Sequence, residues 1–108
     1  MTGEEFRELA SEFAGTETVP HFERIGFKVP KRRMFATYLE SDNTANIFLT
    51  TDEQSTFCRI DPANIFPVPN KWGEKGATTF RIENLDASIV REALASAYAE
   101  TLLSQPRK

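Results

Sequence analysis

The chain reads as an α+β protein: a two-layer domain in which an antiparallel sheet of about five strands carries packed helices, in the order α-β-β-β-α-β-β-α. Three observations predict it. Apolar residues recur at helical spacing near the N-terminus, switch to a period of two between residues 24 and 49, and return to helical spacing after residue 86. Short polar turns separate the period-two runs, so consecutive strands can pair as an antiparallel meander. The length of 108 residues fits one domain spanning 1–108.

The first helix is predicted over residues 3–14. Thr2 and Glu5 form a capping box, Phe6, Leu9, Ala10 and Phe13 form one apolar stripe, and Gly15 suits the C-terminal cap. Thr16 to Pro20 reads as a connector. Ile25, Phe27 and Val29 then alternate with Arg24, Gly26 and Lys28, giving a half-buried strand with a basic outer face. Pro30-Lys31-Arg32-Arg33 is the turn into a second strand. There Phe35, Thr37 and Leu39 share one face, and Met34, Ala36 and Tyr38 the other. A polar turn at Glu40–Thr44 leads to a third strand with Ala45, Ile47 and Leu49 inward.

Thr51 and Gln54 read as a second capping box, opening a short helix to about residue 59, with Phe57 and Cys58 buried and Pro62 as its stop. Ile65 and Phe66 form a brief strand, which Pro67 and Pro69 interrupt. A loop rich in Gly and Lys follows, and Ala77 to Glu83 reads as a strand with Thr78, Phe80 and Ile82 on one face. Asp86 caps the last helix, whose stripe is Val90, Ala93, Leu94, Ala97 and Leu102, ending near Ser104. Gln105 to Lys108 reads as a frayed tail.

Composition narrows the function classes. The net charge of −3 does not describe a generic polyanion binder, but the charge is segmented: residues 19–39 carry +4 and residues 65–81 carry +2, between segments of −4, −4 and −1. No apolar run reaches the length of a membrane span, and the acidic amphipathic start is unlike a signal peptide. With a single Cys, an internal disulfide is impossible, and a cytoplasmic location, no membrane association and a monomeric state are the expectations. A lone His21 and a lone Cys58 do not make a metal set, no phosphate-binding glycine loop is present, and no cofactor is expected. Catalysis involving His21 is the weakest reading, and we expect no enzyme.

The basic residues carry more. Lys31, Arg32 and Arg33 sit on a hairpin turn, beside the strand residue Lys28; Lys71, Trp72 and Lys75 sit in a second projecting loop. Cations on two protrusions suit phosphate contacts, and a Trp between two Lys suits stacking on a base. The competing reading makes Trp72 a core anchor that pins the loop, and the basic turn merely solvated.

The stretch from Phe66 to Thr79, Phe-Pro-Val-Pro-Asn-Lys-Trp-Gly-Glu-Lys-Gly-Ala-Thr-Thr, resembles the signature F-x-V-P-x-K-W-G-x-x-G-W-T-T of the MmcQ/YjbR-like family. Pro20-His21-Phe22 with Phe27 and Val29, the early Gly15-Thr16-Glu17, Met34–Thr37 and Leu49–Gln54 are similar to the family in the same order. Glu74 and Ala77 stand where members often carry a basic and an aromatic residue. The resemblance implies a small bacterial α+β protein, not enzymatic, that contacts double-stranded DNA through two wing-like elements. In this chain the wings would present Lys28, Lys31, Arg32, Arg33, Lys71, Trp72 and Lys75. The alternative is a protein-interaction or chaperone-like module with a protein partner and no nucleic-acid role.

Overall fold

The computed structural model describes residues 1–104; the tail expected at Gln105–Lys108 lies outside the described residues. The first helix, α1 (Gly3–Ser11), opens with the capping box expected at Thr2: Thr2 N donates to Glu5 Oε1 at 2.8 Å, and Glu5 N donates to Thr2 Oγ1 at 3.1 Å. The helix stops at Ser11 rather than near residue 14, and Gly15 takes φ +79° in the connection that follows.

The expected connector is instead a strand. β1 (Glu17–His21) pairs antiparallel with β2 (Arg24–Lys28), so the meander has four strands: β3 (Met34–Leu39) and β4 (Thr44–Phe48) follow. β1 lies at the sheet edge, where Pro20 withholds no hydrogen bond that an inner strand would need. β5 (Ile65–Pro67) forms the other edge, and β6 (Ala77–Phe80) inserts between it and β4. The result is a six-stranded sheet in the order β1-β2-β3-β4-β6-β5, with every neighbouring pair antiparallel. β6 ends at Phe80 instead of Glu83, and Ile82–Asn84 turns into a single 3-10 turn with Ile82 still fully buried.

The register sorts the side chains. Phe27, Ala36, Ile47 and Thr78 align across one face, and Ile25, Tyr38, Ala45, Phe80 and Ile65 align beside them. This face meets α1 and the long helix α4 (Ala87–Leu103). The Phe6 ring packs edge-on to Phe27 and stacks on Tyr38, each at 5.8 Å between centroids. Val90, Ala93, Leu94 and Ala97 close the core from α4. One irregularity corrects the facing expected in β3. The pairing shifts between Phe27 and Lys28, and Phe35 becomes an extra residue opposite that step, its ring against Phe13 and Tyr98. The end of the α4 stripe also differs. Leu102 is exposed, and Thr101 is buried in its place, its hydroxyl donating to Arg33 O at 2.7 Å.

Two elements position the glycine-rich loop. α2 (Thr51–Ile60) is capped one residue earlier than the sequence suggests, by Thr50 and Glu53. Gln54 is thereby left to point across to the loop, where its Nε2 donates to Gly73 O at 2.9 Å and Ala77 O at 3.1 Å. The loop itself contains a one-turn helix, α3 (Lys71–Glu74), whose cap Asn70 accepts from Trp72 N at 2.8 Å. Gly76 takes φ +115° directly over Leu49 O, which leaves no room for a Cβ.

Candidate functional site

α1 and α4 cover one face of the sheet; a groove of about 570 Å³ lies along residues that face the other way. Period-two alternation builds its floor. Residues Gly26, Thr37, Asn46 and Thr79 oppose one another across β2, β3, β4 and β6, all facing away from the helices. Thr37 and Asn46 line the groove, with Met34, Phe48 and Ala77 completing the floor toward the opposite strand ends. Thr79 Oγ1 donates to Asn46 Oδ1 at 2.8 Å, fixing that amide.

The groove walls come from different parts of the chain. His21 and Arg24 rise from the β1–β2 hairpin, Arg33 from the turn before β3, and Asn70, Trp72 and Lys75 from the glycine-rich loop. With adjacent strands ~4.8 Å apart, β2 and β6 stand roughly 14 Å from one another across the floor. Trp72 is 67% exposed, so the core-anchor reading of this ring is wrong. The loop is held instead by Gln54, by the Asn70 cap and by Val68 packed over Gly73. Lys75 Nζ lies 5.8 Å from the Trp72 ring centroid, a cation–π contact that keeps this charge at the groove edge.

Arg24 was not among the residues singled out from the sequence, and it is the most constrained cation here. Its Nε donates to Thr37 Oγ1 at 2.8 Å. Its Nη2 is out of contact with solvent and has no hydrogen-bond partner among the described residues. Burial lowers its pKa, and the fields of Asp42 and Glu23 only partly oppose that; a guanidinium nevertheless stays charged at any ordinary pH. The signal for Arg24 was present in the alternation of β2, which places it on the outer face two residues before Gly26.

The seven residues expected at the wings separate. Arg33, Trp72 and Lys75 converge on the groove. Lys31 is exposed at the turn with φ +66°, Lys28 is half-buried, and Arg32 Nη1 donates to Ser104 O, tying that side chain to the end of α4. Lys71 faces a separate, shallower depression with Gln54, Pro67 and Glu74. Glu100 is the one carboxylate lining the main groove among the described residues.

His21 lines the groove, its ring 4.9 Å from that of Phe22. Phe22 is 94% exposed at the hairpin tip and holds φ +59°, a conformation bulky side chains rarely adopt. Cys58 is on α2, away from the groove lining, and burial raises its thiol pKa, so the thiolate is disfavoured. Among the described residues no group of three or more His, Cys, Asp or Glu side chains could hold a metal ion. None of the described helices is long and apolar enough to cross a membrane.

No family model matches the chain, and no curated protein matches it. Among solved structures it is similar to the Deinococcus radiodurans protein DR2400, which carries a DUF419 domain. The TM-score is 0.82 at 20% identity, over 95% of this chain and 80% of that one. At that identity the likeness shows the fold: a small α+β architecture shared over nearly the whole chain.

Proposed function

We propose that this chain is an MmcQ/YjbR-like protein that binds DNA without acting on it chemically, using the groove between the basic hairpin and the glycine-rich loop. The observation that carries the reading is convergence. Arg24 and Arg33 from one end of the sheet, and Lys75 with Trp72 from the other, border one concavity although they are up to 51 residues apart in sequence. Cations of one sign gathered along a concave wall raise the local potential even on a chain of net charge −3. An exposed aromatic ring among them is the arrangement that holds bases by stacking. The motif from Phe66 to Thr79, from which the family resemblance comes, supplies one whole wall of this groove.

The reading predicts binding that weakens steeply with salt and depends little on sequence. Fluorescence anisotropy with labelled single- and double-stranded oligonucleotides at low salt tests it. Replacing Arg33 and Lys75 together by Met should weaken binding at least about tenfold, since each charge-assisted contact contributes roughly 1.5–3 kcal/mol. No binding of any oligonucleotide at low salt would sink the proposal.

A further inference from the structure

We infer that the groove takes a nucleotide of an unpaired strand, its phosphate toward Arg24 and its base toward Trp72. The inference rests on the nucleic-acid reading and sharpens it to a ligand class. Four observations carry it.

The first is the orphan donor. Arg24 is fixed by its Nε bond to Thr37, while Nη2 is buried without a partner among the described residues. A buried guanidinium nitrogen in that condition is rare and costly, and an acceptor reaches it only as the Arg24 head turns toward the groove that the side chain lines. Its planar fork fits phosphate oxygens, and Arg33 and Lys75 add positive charge along the same walls. Glu100, which also lines the groove, repels an anion near it and so restricts where the phosphate can sit.

The second is shape. A concavity of about 570 Å³ falls within the range of sites that enclose a small organic group. A duplex keeps its bases paired and stacked and would meet this groove with its backbones, leaving the exposed Trp72 ring unused. An unpaired strand can turn a base and its phosphate inward.

The third is the placement of aromatic rings. Trp72 is exposed at one wall, and Phe22 is exposed beyond His21 at the other. Stacking on exposed rings is sequence-tolerant because every base has a π-face. The fourth is the backbone of Phe22. Its positive φ at an exposed tip is unfavourable, and no burial of the side chain compensates it. The two-residue β1–β2 loop, Phe22 and Glu23 between the paired His21 and Arg24, calls for such an angle, and it leaves the ring at the exposed tip.

Because Trp72 is the only Trp in the chain, its emission reports on the groove directly. The experiment titrates the protein with a short oligothymidylate, with the same strand paired to its complement, and with adenosine monophosphate. Oligothymidylate should quench Trp72. The slope of log affinity against log salt should be about −2, the value for three phosphates engaged on a single strand by Arg24, Arg33 and Lys75. Arg24→Met, which keeps the aliphatic stem, should weaken binding at least about tenfold. Trp72→Ala removes an exposed ring and leaves the fold intact; followed by anisotropy of a labelled oligothymidylate, it should lower affinity by about tenfold as well. Tighter binding of the duplex with Trp72 emission unchanged overturns the inference while the nucleic-acid reading stands. Response to the monophosphate with neither polymer bound overturns both.

Discussion

Phe22 shows what a single backbone angle can disclose. An L-residue at φ near +60° costs roughly 1–2 kcal/mol over its ordinary conformations, and Phe22 recovers none of it through burial, being 94% exposed. Glycine accepts that angle without strain but adds conformational freedom to the unfolded chain. The net expectation for Phe22→Gly is stabilisation by about 0.5–1 kcal/mol, seen as a higher midpoint in urea unfolding at unchanged slope. The same variant should bind oligothymidylate more weakly than the natural chain. A variant that is both destabilised and unaltered in binding would mean that the ring is held by packing. At this scale the sequence was partly informative. Arg33, Trp72 and Lys75 were legible as candidates because they stand in turns. Arg24 was hidden inside a strand pattern, and neither its bond to Thr37 nor the lack of a partner for Nη2 among the described residues can be read before the strands are paired. Exposure of Trp72 was not legible: three surrogate anchors, Gln54, Asn70 and Val68, hold the loop that the ring was expected to hold.

Most helices and inner strands could be placed from periodicity because burial and period coincide in them. The exceptions have local causes. β1 carries one apolar residue, Val19, and a Pro within five positions; only an edge strand tolerates that, and edge position is a property of the finished sheet. α3 is one turn containing Gly73, too short for any period. The cap of α2 was placed one residue late because Thr50 and Thr51 both precede an acceptable residue at the third position, Glu53 or Gln54. Geometry decides between them, since Glu53 bonds back to Thr50 N at 2.9 Å and Gln54 is used across the groove wall. Thr50→Ala should therefore cost about 1 kcal/mol, whereas Thr51→Ala should stay within about 0.5 kcal/mol of the natural chain. Paired urea titrations of the two variants check this, and equal losses would contradict the assigned cap.

Across the whole molecule, the two faces of one sheet have been given different work. The helix-covered face holds Phe6, Phe27, Tyr38, Ile47 and Phe80 in a continuous core. The other face is bounded by cations and an exposed ring, and it buries a guanidinium nitrogen without a partner among the described residues. An arrangement of this kind is left incompletely satisfied in the unbound chain, so an anion that completes it binds the native state and not the unfolded one. Stability must then rise with ligand by mass action, by about 2.7 kcal/mol at a free concentration 100-fold above Kd. For a chain of this size that is a rise in Tm of roughly 10–20 °C. A thermal scan with saturating oligothymidylate at low salt should show it, and the rise should shrink progressively as salt displaces the strand. Arg24→Met should reduce the ligand-induced shift while leaving the unliganded Tm near that of the natural chain, because the loss of the bond to Thr37 is offset by removing a guanidinium whose Nη2 is buried with no partner among the described residues. A fall in unliganded Tm by more than about 10 °C, the mark of a residue whose loss costs roughly 2 kcal/mol, would instead make Arg24 a structural group bonded through Thr37, and the unliganded scan alone distinguishes the two.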